Sequence, residues 1–271
     1  ADTPLAVSAY VASAGVADNW KWWFTGFGAV ATTFFFARLW RRSEVVTDAE
    51  IAELRYGGLA ARALRVLKAV WFGVFFNLLV IAWVMRAMRT IVEIVLGLGP
   101  DAVLSVGVLD VPLGVGVVLV LFLLAVAYTA SSGLWGVVLT DVLQFGLAMF
   151  GAITLAVLAW LHVGGVDGMV AGFATHGFDW ERTTALLPLD DPAWDGVSAQ
   201  LFVLCTVTWW AARNVDGGSY LAQRLLAAKD EVHAMKGYLW FSVANIAVRP
   251  WPWKPWAVVV ATVTTAVRQA R

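Results

Sequence analysis

Apolar runs of membrane-spanning length, repeated along the chain with short polar connections between them, leave few folds open to this sequence. Crossing a hydrocarbon layer takes about 20 mostly apolar residues in helix. Such runs lie at residues 20–40, 69–98, 111–134, 137–163, 197–226 and 232–267, and residues 4–16 form half of another. Lipid offers backbone polar groups no partner, so a chain of this kind satisfies them internally, as helices. Composition agrees, with 61% hydrophobic and only 14% charged residues, where a soluble domain carries about a quarter charged. The expected fold class is an all-α polytopic membrane bundle. The chain opens Ala1-Asp2-Thr3-Pro4 with its first apolar run cut short, so residues 1–271 are expected to be a fragment of one transmembrane bundle.

Charge placement orients the bundle. The stretch 41–68 carries Arg41, Arg42, Arg55, Arg62, Arg65 and Lys68, and the stretch after Leu226 carries Lys229 and Lys236. By contrast, 99–110 holds two aspartates and no base, and 164–196 holds many acids with Arg182 as its one base. Positive charge collects on the cytoplasmic side. This predicts cytoplasmic connecting helices at 41–68 and an external loop at 164–196, so a cysteine at Ala60 should be labelled from inside and one at Gly168 from outside. Within 41–68, Thr47-Asp48-Ala49-Glu50 reads as a capping box, and Gly57-Gly58 as a helix end. The zero net charge favours no nucleic-acid partner. Cys205 is the only cysteine and lies in an apolar run, and His162, His176 and His233 match no metal-ligand spacing.

Polar groups inside a membrane segment are costly, which makes them functional candidates. Asp2 and Thr3 precede Pro4, which reads either as an interrupted helix or as a helix start. Residues 128–136 read as a turn, with Gly133 and Gly136 allowing tight reversal; Asp141 comes next, to receive a cation or to cap the next helix. The section Arg213–Tyr220, with Asp216, Ser219 and Tyr220, reads as a broken helix at mid-depth, or as cytoplasmic loop after a span ending at Ala212. The last run carries Arg249-Pro250-Trp251-Pro252-Trp253, which makes it one kinked helix or two pieces. Asn245 lies one turn below Arg249 on the same face. The arginine is either a snorkelling interfacial anchor or a ligand for a carboxylate on the solute.

Three stretches together resemble the sodium/solute symporter family, which includes the sodium–glucose transporters: Val46 through Glu50 to Gly57, Tyr128 through Asp141 to Gln144, and Tyr220 through Gln223-Arg224 to His233. The resemblance implies the inverted-repeat bundle shared with the leucine transporter, running here from the outer half of the first core helix to the seventh. It implies sodium as coupling ion, with its main site largely outside this chain, no other cofactor, and residence in the inner membrane. Asp141 is similar to the family's aspartate at the inner cavity, Tyr220 to a tyrosine closing the pocket from inside, and Asn245 to a substrate contact. Trp22 stands about where sugar carriers place a glutamate, and Gly218 where some carry an asparagine, which argues against a sugar. The expected function is sodium-coupled symport of a small polar solute by alternating access, with the lipid bilayer and the solute as partners. A channel or structural subunit is the alternative, ahead of a membrane enzyme acting through His162 or His176. The sequence does not fix an oligomeric state.

Overall fold

The computed structural model describes residues 2–99, 102–106, 109–175, 179–187, 201–211, 216, 218 and 220–252. Backbone packing divides the chain into two units, Ala1–Ala6 with Phe76–Thr154, and Val7–Phe75 with Leu155–Arg271.

The first unit is built on long apolar helices. One helix runs from Gly58 to Val95, passing through a π-helical stretch at Trp71–Phe76 and entering this unit at Phe76; a second runs from Leu113 to Val163. In the most apolar part of the former no residue is buried, and in the latter 11% are. A soluble protein hides such helices in its core; here the apolar side chains face outward, as lipid contact demands. The connection between these helices holds an element that hydropathy alone does not reveal. Val103–Val106 and Leu109–Pro112 pair as an antiparallel hairpin, with Ser105 opposite Asp110 and its hydroxyl donating to the Asp110 carboxylate at 2.6 Å. Gly114 begins the next helix against Glu93, where a Cβ would meet the carboxylate at 2.7 Å.

The turn expected over residues 128–136 is narrower than its sequence suggests. Helical geometry holds on both sides, and the break is confined to Gly133, at φ 63° and ψ −167°. That region of backbone space is closed to residues with a Cβ. Ser131 and Ser132 remain helical, their hydroxyls donating to the Ala127 and Tyr128 carbonyls at 2.9 and 2.7 Å. Gly133→Ala is expected to cost the intact protein about 1–3 kcal/mol, read as a lower midpoint of heat-induced aggregation. Gly146→Ala, where a Cβ meets nothing within 4 Å, is the control and should match wild type. Equal stability of the two variants would show that the break carries no strain.

The second unit centres on helices Thr25–Ala31, Ala37–Arg42, Tyr220–Leu226 and Glu231–Ser242. Ala29, Ala37, Ala222 and Ala234 let these backbones approach closely, and Trp40, Leu221, Leu225 and Tyr238 fill the space that remains. The predicted span 20–40 is helical over 20–42 apart from a turn at Phe24, with a π-helical section at Thr32–Phe36 where Thr33 donates to the Ala29 carbonyl at 2.7 Å. Its two ends have different company. At one end Arg42 grips Glu231 through two hydrogen bonds of 3.0 and 2.8 Å. At the other, Trp20 Nε1 donates to the Leu186 carbonyl at 2.9 Å, and Gly15 lies against Thr183 so closely that a Cβ would meet its carbonyl at 2.8 Å. Val11, Val16, Met169 and Phe173 form a second apolar cluster at that end.

Several local expectations need correction. Thr47 makes no capping hydrogen bond; Glu50 reaches back instead to the Val46 amide, at 2.8 Å, because residues 48–50 wind as a tighter 3-10 turn. A true side-chain cap sits elsewhere, at Asp230, whose carboxylate accepts from the His233 amide at 2.8 Å. The region 164–196 is not plain loop, since Gly165–Thr175 and Trp180–Thr184 are helices. Asp2–Ala14 is one helix with Pro4 in its first turn, where a missing N–H is harmless, so the described residues show no interruption there. The last run leaves α geometry at Val243, becomes π-helical to Val248 and turns at residues 249–252; residues 253–271 lie outside the described residues.

Candidate functional site

The candidate residues of the second unit are arranged along two antiparallel helices. Residues 25–42 and 231–248 run side by side, tied by Arg42 and Glu231 at one end, while Ile246 packs against Gly26 near the other. Along this frame the candidates fall into two groups.

The group at the Arg42 end contains Asp216. Trp40 Nε1 donates to the Asp216 carbonyl, and the Asp216 carboxylate accepts from the Gly218 amide at 2.9 Å. Gly218 is buried. The chain is helical at 201–211 and again from Tyr220, and non-helical at Asp216 and Gly218. A non-helical section is therefore present at Asp216 and Gly218. It is held level with Trp40, at the end of its helix that bears Arg41 and Arg42, because that tryptophan anchors the loop. Arg213, Asn214 and Ser219 lie outside the described residues, and Tyr220 is placed by its backbone as the first residue of helix Tyr220–Leu226.

The second group lies toward the opposite end. Arg249 Nη1 donates to Asn245 Oδ1 at 3.2 Å, and both side chains are half-buried. The π-helical winding of 243–248 puts the Arg249 amide on the Ala244 carbonyl at 2.8 Å, and Pro250, buried, ends the helix. The sequence expectation that Asn245 and Arg249 share a face is met. Counting back from the Gly26–Ile246 contact, Trp22 stands at about the same level as Arg249. Its indole Nε1 is buried and finds no acceptor among the described residues. About thirteen residues or more, at about 1.5 Å each, separate this group from Trp40, so the two groups are at least about 20 Å apart and cannot form one pocket for a small solute.

Asp2, Thr3 and Asp141 belong to the other unit. Thr3 is buried, and of Asp2 only the helical backbone is described. Asp141 is exposed, eight residues beyond the break at Gly133. That is two turns into the helix, past the reach of the unpaired N–H groups, so the capping alternative falls. Thr140 beside it is satisfied internally, donating to the Gly136 and Val137 carbonyls at 2.9 Å each.

Two charge pairs escape a reading by sequence. Asp18, only 3% exposed, holds Lys21 at 2.6 Å, and Lys21 stands 5.7 Å from the centre of the Tyr10 ring. The spacing of an acid and a base three apart in an apolar stretch is the signal that could have found it. Arg42 and Glu231 are the second pair. The hydrogen bonds from Arg42 hold the Glu231 carboxyl below its ordinary range, and the His233 amide and ring do the same for Asp230. A carboxylate lowered on folding stabilises above its unfolded pKa, so both contributions fade only as pH falls below the usual carboxylate range.

The sequence pattern of the Sodium:solute symporter family matches residues 4–248. Sodium/glucose cotransporter 4 of Danio rerio is 25% identical over 240 residues, which cover 83% of this chain and 33% of that protein. The chain thus spans about a third of the length of that curated relative. No solved structure matches.

Proposed function

Because the chain belongs to the sodium:solute symporter family, we propose that it is part of a membrane protein that couples sodium entry to the uptake of a small polar solute by alternating access across the inner membrane. The family match carries this reading. Asp141 lends negative charge to the cation path, and sodium travels with the solute as cargo. The half-buried Arg249–Asn245 pair and the Trp22 indole, whose N–H has no acceptor among the described residues, bring a guanidinium fork and an N–H donor to one level of the helix pair, a set suited to a carboxylate. Gradient-driven uptake by the intact protein is the direct test.

The orientation belongs to the same proposal. Contacts at the two ends of helix 20–42 group the basic stretches 41–68 and 229–236 together, and group residues 180–187 with the start of the helix. That is the pairing the lysine and arginine bias demands. Gly168 is a poor labelling site, because a Cβ there would meet the Val163 carbonyl. Ala60 and Ala174 are both exposed. In a Cys205→Ala background, Ala60→Cys should react with an impermeant maleimide only after the membrane is opened, and Ala174→Cys in intact cells. Both sites reacting from one side would end the assignment.

A further inference from the structure

The segment 48–72, which the transport reading leaves unused, lines an open apolar groove of about 540 Å³. Ile51, Ala52, Leu64, Leu67, Trp71 and Phe72 supply most of its apolar wall, and Tyr56, Arg55 and Lys68 complete the lining. The volume is in the range that holds small ligands. Ion pairs hold the wall in place. Arg65 bridges Glu50 and Glu53 at 2.9 and 2.6 Å, and Lys68 donates to the Asp48 carbonyl at 3.0 Å, fastening helix Gly58–Val70 to the turn before helix Ile51–Arg55. The acids of 48–53 are thereby committed to Arg65 and Lys68. Arg55 and Arg62 form no ion pair among the described residues, and Arg55 stands 5.9 Å from the centre of the Tyr56 ring.

An apolar groove lined in part by Arg55, on the first turns of a membrane-length helix, has the chemistry of a site for an amphiphilic anion. We propose that this groove binds an anionic phospholipid of the inner leaflet, Arg55 holding its phosphate and the wall around Leu64, Leu67 and Trp71 taking an acyl chain. The guanidinium fork suits phosphate oxygens, and an exposed tyrosine such as Tyr56 suits the headgroup level. The inference rests on the membrane and orientation reading above, but its test measures lipid, not transport, so either can fail alone.

The intact protein, stripped of lipid, is equilibrated in detergent with equal amounts of phosphatidylglycerol and phosphatidylcholine of identical chains, and retained lipid is counted by mass spectrometry. Wild type should retain phosphatidylglycerol preferentially. Arg55→Gln should lower that preference by about fivefold, the effect of one cation near a lipid headgroup. Arg62→Gln, off the groove, should leave it unchanged, and Leu64→Trp, which fills the groove, should abolish retention without touching charge. Equal retention of both lipids by wild type overturns the proposal, as does equal loss with Arg62→Gln, which would mean diffuse surface attraction. Retention surviving Leu64→Trp would place the lipid elsewhere and overturn it too.

Discussion

Replacing Arg249 by lysine in the intact protein is expected to weaken solute affinity at least about tenfold, a loss of about 1.4 kcal/mol of binding, while membrane insertion stays unchanged. The reasoning is geometric. Arg249 already spends one N–H on Asn245, at 3.2 Å. A guanidinium has five donors in a fixed plane, so it can keep that contact and still present two parallel N–H groups to a carboxylate; an ammonium has the charge without the fork. Pro250, buried behind it, removes the backbone N–H that would continue the helix and fixes where the side chain starts. Asn245→Asp should do comparable harm by another route, giving the guanidinium an internal carboxylate that competes with the solute. Measured as the half-saturating solute concentration for uptake, unchanged affinity in both variants would make Arg249 an interfacial anchor beside Trp251, and the carboxylate idea would fall.

Legibility in the sequence differs by element, for physical reasons. The helix at 20–40 is legible almost to its ends because apolar length bounded by arginines marks a helical run, and the structure winds 20–42 helically apart from a turn at Phe24. The family was readable from ordered motifs, and the match over residues 4–248 bears this out. The hairpin of Val103–Pro112 was not, because its apolar residues sit between two long apolar runs and four-residue strands give too short an alternation to stand out. The turn expected over 128–136 reduces to a kink at one residue: serines and glycines are compatible with both turn and helix in apolar surroundings, and only the backbone shows that Gly133 alone departs. The capping box at Thr47 failed because its spacing admits a 3-10 start as well as an α start.

The candidate site was legible in kind but not in grouping. Asn245 and Arg249 are four apart on one helix, so their meeting is local and comes from helical spacing. Asp216 depends on Trp40, 176 residues away, and no local pattern announces that contact. The level of Asp216 along the bundle, and its separation from Arg249, therefore came only with the packing. The same holds for Arg42 and Glu231, whose stretches are separately legible as charged connections but whose pairing is tertiary.

Sodium-coupled uptake is tested most directly in proteoliposomes of the intact protein with a panel of radiolabelled small monocarboxylates and their neutral amides. With an inward sodium gradient, at least one monocarboxylate should accumulate transiently above its equilibrium level, its amide should not, and an ionophore that dissipates the gradient should remove the overshoot. In the same vesicles Asp141→Asn should shift the sodium concentration giving half-maximal uptake; an unchanged sodium curve would remove Asp141 from the cation path without touching the coupling itself. Entry that merely equilibrates at the same rate with or without the sodium gradient would contradict sodium coupling and mark the protein as a channel.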